Sequence, residues 1–246
     1  MSEFLKTDVW LSKILERDVY KLIVDESSID GDRFVECEGF AALKSARAFA
    51  YAKTAVDFMS GIRSLTRMGF TLVDTNVLFS KPIGQPDCAP GKYEIQPAIA
   101  AHEDQVAAVA FSSFEFSRFH LDPLIPNELA NRVKAEWTRS YFRGQRGDQM
   151  TVATLDGVVA GFVMLIDCDD GTRTIDLIAV DRRHRGRGVA RGMISHVEAH
   201  SEGFTRIRVG TQLANIPSIR LYARLGFVMD EAHYVFHHHQ AEGCRP

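Results

Sequence analysis

The residues with the most definite chemistry are Arg185-Gly186-Arg187-Gly188-Val189-Ala190. They stand between the apolar, β-branched run Ile175 to Val180 and a helix-patterned segment that reaches Ala199. A strand, a glycine turn and a helix in that order aim several backbone N–H groups and the positive end of a helix dipole at one spot. Such a spot binds a diphosphate through the main chain alone. Arg183, Arg185 and Arg187 add positive charge around it. Spacing separates the known designs. A P-loop needs Gly-Lys followed by Ser or Thr, and this chain has Gly186-Arg187-Gly188. A Rossmann turn needs GxGxxG and an acid closing the next strand. Here Gly186, Gly188 and Gly192 give GxGxxxG, and the next candidate strand, Arg206 to Leu213, ends in Gly210-Thr211-Gln212 with no carboxylate. What remains is [Q/R]-x-x-G-x-[G/A], in which Gly188 and the small Ala190 let backbone approach a phosphate closely.

That hexapeptide resembles the acetyl-CoA pyrophosphate loop of the GNAT N-acetyltransferases. Downstream, Asn215-Ile216-Pro217-Ser218-Ile219-Arg220-Leu221-Tyr222-Ala223-Arg224-Leu225-Gly226-Phe227 resembles the family's closing helix, N-x-x-[SA]-x-x-x-Y-x-x-x-G-F. In physical terms Asn215 is a good N-cap, Pro217 is tolerated in the first turn and Gly226 stops the helix. The resemblance implies acetyl-CoA as acetyl donor. It would lie against the backbone of Leu177, Ile178, Ala179 and Val180 and on the loop Arg185, Gly186, Arg187, Gly188, Val189 and Ala190, with Asn215 and Ser218 reaching the pantetheine. It also implies that Tyr222 protonates the departing thiolate, for which a phenol of pKa about 10 is a plausible acid. Taken alone, Tyr222 reads equally as a packing aromatic. The chemistry implied is direct transfer in a ternary complex, and it requires no metal. Glu36, Glu38, Glu115, His120 and Asp176 compete with a water relay for the role of base.

On the acceptor side, Phe114-Glu115-Phe116-Ser117-Arg118-Phe119-His120 forms a loop that could stack on a base or pair with a diphosphate. Arg118 is its best binding residue, and Phe119 and Thr211 are further candidates for substrate contact. The two-part layout resembles the branch of the family that acetylates the amino group of TDP-linked 4-amino-4,6-dideoxy sugars. The implied partner is therefore a nucleotide amino sugar used for cell-surface polysaccharide. The triplet His237-His238-His239 reads as a solvated strand end, because neighbouring strand residues face opposite sides and share one ion poorly.

These residues need a scaffold, and the chain is long enough to build one. Its 246 residues suit one and a half to two minimal acetyltransferase domains, and 46% apolar content supplies a core. A net charge of -3 argues against general nucleic-acid affinity. No run could span a bilayer and the start, MSEFLKTDVW, lacks the features of a signal peptide. Four cysteines without metal-ligand spacing fit free thiols in a cytoplasmic enzyme. Residues 83–92, rich in Pro and Gly, read as a linker. The expectation is an α/β (α+β) protein. A smaller α/β domain over 1–82 would be a degenerate half of the fold, suggested by the echo of Leu65 to Phe70 in Leu221 to Phe227. It precedes a catalytic domain over 93–246 with the GNAT acyltransferase fold, a mixed central sheet with flanking helices. A homodimer would form through sheet edges or the C-terminal strand.

Overall fold

From the N-terminus the elements are β1 (Leu5–Thr7), α1 (Val9–Leu15), β2 (Asp18–Leu22), β3 (Ala48–Ala55), α2 (Met59–Arg67) and β4 (Thr71–Pro82). They continue with β5 (Glu94–Pro97), α3 (Glu103–Ser113), α4 (Asn127–Phe142), β6 (Gln149–Leu155), β7 (Val158–Asp167) and β8 (Thr172–Val180). The chain closes with α5 (Val189–Ala199), β9 (Arg206–Gln212), α6 (Ile216–Arg224) and β10 (Val228–His239). The structure, a computed structural model, describes residues 4–25, 43, 45, 47–84 and 92–240. Most of the expected linker, and the base candidates Glu36 and Glu38, lie outside the described residues.

The ten strands among the described residues share one mixed sheet in the order β1-β2-β3-β10-β4-β9-β8-β7-β6-β5. β4, from the segment before the linker, sits between β9 and β10 from the segment after it and pairs antiparallel with both. The helix-Gly-Phe-strand phrases that echo each other in sequence lie side by side here. Gly69 and Gly226 both take φ 81°, and the strands they introduce, β4 and β10, are neighbours. β10 is hydrogen-bonded along both edges, to β3 and β4, so this strand is central and offers no edge for a dimer. The edge strands are β1 and β5.

The sheet divides the helices between its two faces. α5 and α6 cover one, where Met193, Ile194 and Tyr222 pack on Val77, Ile207 and Val209. α3 and α4 cover the other, with Val106 and Val109 against Leu177 and Ala179. One close approach depends on a glycine. A Cβ on Gly161 of β7 would lie 2.8 Å from the Ala179 carbonyl and 3.3 Å from Val189, the first residue of α5. The missing side chain lets the start of α5 seat directly against the sheet.

The functional gap comes from a pairing that stops. β8 and β9 run parallel from Thr172↔Arg206 to Ile175↔Val209 and no further. At that point β8 carries a bulge, since Met164↔Leu177 is followed by Leu165↔Ile175 and Asp176 is the extra residue. The bulge bends the strand. Beyond it β8 stays with β7 as far as Gly161↔Val180, while β9 stays with β4 as far as Asn76↔Gln212. A wedge therefore opens between Asp176–Val180 and Gly210–Gln212.

Candidate active site

The phosphate loop sits at the mouth of this wedge. Asp181 accepts from the Arg183 amide at 2.8 Å and starts a single helical turn, Arg182–His184. Gly186 and Gly188 then take φ 72° and 80°, conformations that disfavour any side chain. The Gly192 amide makes its bond to the Gly188 carbonyl at 2.9 Å, so the amides of Gly188, Val189 and Ala190 precede the helical ladder and have no carbonyl within the helix to reach. A Cβ on Gly186 or Gly188 would meet nothing within 4 Å, which leaves open space at the positive end of α5.

The arginines differ in what they do. Arg185 donates to the Ser113 carbonyl at 2.6 Å, to the Val180 carbonyl at 3.3 Å and to Glu115 at 3.4 Å. It ties the loop to the ends of α3 and β8 and is no mobile charge. Arg183 is clamped by Asp181 through two side-chain bonds. Arg187 is exposed.

Across the wedge, Asn215 caps α6. Its Oδ1 accepts from the Ser218 amide at 3.3 Å, and its Nδ2 donates to Thr211 Oγ1 at 3.1 Å. One amide hydrogen expected to reach the pantetheine is thus taken by Thr211, and the Thr211 hydroxyl expected on substrate is held by the cap. Tyr222 is buried between Phe79 and Phe227, with ring centroids 6.0 and 5.7 Å away. Burial pushes its phenol well above the ordinary value, against a weaker opposing hydrogen bond with Ser218. The group stays protonated through any working pH.

The face under α3 and α4 carries the acceptor candidates. Arg118 stacks 3.9 Å over the Tyr51 ring and 4.4 Å over Phe119, and its Nη1 donates to His237 Nε2 at 3.3 Å. Phe119 is buried with Leu11 and Phe49 and packs rather than presenting a face to a nucleotide. The base candidates among the described residues, Glu115, His120 and Asp176, are all engaged. Glu115 accepts from Arg182 at 2.9 Å. His120 has Ser117 on one ring nitrogen at 2.6 Å and Asn131 on the other at 2.9 Å, and burial lowers its pKa. Asp176 accepts from Trp137 at 2.9 Å and from Arg146 at 2.7 and 2.6 Å. Both of its oxygens are thus committed to Trp137 and Arg146.

Two residues beside the wedge carry no motif. Lys134 of α4 is buried with its ammonium 4.9 Å over Phe114 and 4.6 Å over Trp137. Burial brings its pKa down to about 8, opposed by Asp176 and assisted by Arg118 and Arg146. Asp74 of β4 is buried with one oxygen unpartnered. The signal for Asp74 was an acid inside the apolar alternation of a strand.

The histidine triplet is not a solvated end. His237 and His239 point to one face and share Asp122 Oδ2, at 2.5 and 2.7 Å, while His238 turns to Phe70 on the other. Arg118 and Arg17 approach the second ring nitrogens at 3.3 and 3.4 Å. Through one ring nitrogen each histidine donates to Asp122 and through the other it accepts from an arginine, so a cation finds no vacant ligand. Burial pushes the Asp122 carboxyl up, but His237, His239 and the Leu124 amide together hold it well below the usual range. Burial also lowers His237 to about 4, against the pull of Asp122. The unfolded chain, with histidine near 6.5, then binds more protons between pH 6.5 and 4, so stability must fall as pH drops through that window. Thermal melts should show a level Tm above pH 7 and a steep decline below 6.5. At pH 7 Asp122→Ala, which strands two donors, should cost about 3 kcal/mol. A flat profile with an unchanged Asp122→Ala melting point would remove the network from the stability of the fold.

Comparison with known proteins agrees with this geometry. Residues 113–227 match the Acetyltransferase (GNAT) family. The spore coat polysaccharide biosynthesis protein SpsD of Bacillus subtilis (strain 168) is 25% identical over 234 residues, covering 93% of this chain and 80% of that protein. The dTDP-fucosamine acetyltransferase of Escherichia coli O6:H1 is 25% identical over 187 residues, covering 74% of this chain and 78% of the other. Among solved structures, a GCN5-related N-acetyltransferase from Sphaerobacter thermophilus superposes with TM-score 0.66 at 16% identity, over 98% of this chain and 78% of that one. Among the described residues no helix is long and apolar enough to cross a membrane.

Proposed function

We propose that this chain, whose C-terminal half is a GNAT acetyltransferase domain, acetylates the amino group of a nucleotide-linked amino sugar of the TDP-4-amino-4,6-dideoxyhexose type in the cytoplasm. The observation that carries the reading is the wedge between β8 and β9, with the phosphate loop at its mouth and Tyr222 in the same packed cluster as Ile178 and Val180 of β8. Acetyl-CoA, when bound, supplies the acetyl group as a thioester. β8 leaves the backbone N–H groups of Asp176 to Val180 on the wedge side without β9 partners, and one of them holds the carbonyl oxygen as negative charge develops there. Tyr222 holds the proton that the sulfur needs. The loop amides and the α5 dipole fix the diphosphate and so set the reach of the thioester into the wedge.

The sugar assignment draws on the relatives. One is named for dTDP-fucosamine acetylation and the other for polysaccharide biosynthesis. The segment 1–82 is read as supplying the acceptor wall from within the shared sheet, since Tyr51 of β3 and Asp74 of β4 both face Arg118. A small, walled acceptor site suits a metabolite better than a lysine on a protein.

The test mixes protein and acetyl-CoA with a panel of TDP- and UDP-linked 4-amino sugars, free amino sugars, polyamines and a lysine peptide, and follows thiol release. Fastest turnover with a TDP-4-amino-4,6-dideoxyhexose is the expected result. Turnover only with another amine keeps the transferase and removes the sugar. Tight acetyl-CoA binding without turnover on any amine would mark a sensor.

A further inference from the structure

Asp74 projects from β4 on the face of the sheet opposite Tyr222, just beyond the end of β9. Val77 and Phe79 of β4 pack toward Tyr222, and by alternation Asp74 and Asn76 project from the other face, toward Arg118. β9 ends where Asp74 begins. Gln212, its last residue, pairs with Asn76 and bonds the Asp74 side chain, and the Leu213 amide donates to the Thr75 carbonyl at 2.7 Å. Asp74 therefore stands at the end of the strand that has parted from β8. It is only 6% exposed, and its Oδ2 has no hydrogen-bond partner.

A buried carboxylate oxygen without a partner is costly and calls for an explanation, a catalytic role among them. The charged groups facing Asp74 are few. Arg118 approaches from the α3–α4 loop and Lys53 from β3, in register through Val235. His233 lies farther along β10, opposite Asn76. Arg118 is itself committed to Tyr51 and His237, and the described residues close no ion pair on Oδ2.

We propose that Asp74 Oδ2 receives the acceptor's ammonium group and takes its proton, making Asp74 the catalytic base of the transfer. The proposal rests on the acetyltransferase reading and is indifferent to which amine is the substrate. R–NH3+ gives one proton to Asp74, leaving R–NH2 and a neutral carboxylic acid. The nitrogen lone pair forms the N–C bond as the C–S bond breaks, and the thiolate takes its proton from Tyr222. The proton that nitrogen sheds on becoming an amide restores Tyr222, and Asp74 returns its own to solvent. Burial raises the Asp74 carboxyl to about 6, against the Thr75 amide, Arg118, Gln212 and Lys53, which places it where a base at neutral pH is most effective.

The experiment measures kcat/KM for thiol release from pH 5 to 10 with the panel amine that turns over fastest. The wild type should rise through an inflection near 6 and fall at the amine's own pKa. Asp74→Asn should lose about a hundredfold at pH 7 and show a single rise toward the amine's pKa. Asp74→Glu should recover part of the loss, and acetyl-CoA affinity should not change. Activity within about threefold of wild type, or an unaltered profile in Asp74→Asn, overturns the proposal. If no amine turns over, the proposed function fails on its own account and Asp74 is tested directly. Infrared difference titration of wild type against Asp74→Asn should reveal one carboxyl whose titration moves on adding methylammonium. A carboxyl indifferent to the amine overturns the assignment.

Discussion

Tyr222→Phe should lower kcat about a thousandfold while leaving Tm and acetyl-CoA affinity unchanged, a loss typical of removing a positioned proton donor. The substitution is clean because the ring is a packing element. It is held between Phe79 and Phe227, and a phenylalanine fills the same space. Only the hydroxyl leaves. Burial holds the phenol above its ordinary pKa, so no basic limb below about pH 10 should be traceable to its ionisation. The same shift sets the timing of transfer. An ordinary thiol is more acidic than this phenol, with a pKa near 8.5, so the proton stays on Tyr222 until the C–S bond is largely broken. In the proposed transfer the hydroxyl would act first as a hydrogen-bond donor to the developing thiolate and only then as an acid. Steady-state kinetics with saturating donor decide the matter. A drop of less than about threefold would move the donor role to Ser218 or to water.

What the sequence could reveal follows from how local each feature is. The phosphate loop is written in six consecutive residues whose turn needs glycine at Gly186 and Gly188, and both take positive φ. The closing helix is equally local, with cap, proline and stop glycine within one segment. The wedge is different. It exists because β8 bulges at Asp176 and parts from β9 after Ile175 while β9 stays on β4, a pairing between segments more than a hundred residues apart. Asp74 and Lys134 become parts of a site only through that pairing. The histidine triplet was misread for a related reason. Adjacent strand residues do face apart, but His237 and His239, two apart, share a face, and their partner Asp122 is 115 residues away. α1 is hard to read from sequence because its i, i+3, i+4 pattern of Leu11, Ile14 and Leu15 spans only seven residues, and the Asp8 cap that starts it is a weak signal alone. The arginines of the loop illustrate a further limit. Charge is legible from composition, but the acceptor it has already found, such as the Ser113 carbonyl on Arg185, is not.

Gly188→Val should raise the Kd for acetyl-CoA about a thousandfold, roughly 4 kcal/mol, with little effect on the core. Two penalties combine. At φ 80° a β-branched residue is strained, so the free loop relaxes to another conformation and must be forced back to present its amides. A Cβ at this position also projects into space that no protein atom occupies within 4 Å, the space assigned to phosphate, and lost contacts to a charged group weigh about 1.5 to 3 kcal/mol each. The donor itself provides the control. Acetyl-pantetheine has the thioester but neither nucleotide nor diphosphate. If the glycine serves the phosphates, Gly188→Val should leave the weak turnover of acetyl-pantetheine nearly unchanged while abolishing the advantage of acetyl-CoA over it. Equal losses on both donors would mean that Gly188 shapes the start of α5 and that the diphosphate is held elsewhere. Isothermal titration with both donors separates these outcomes, because one requires the phosphates to be present and the other does not.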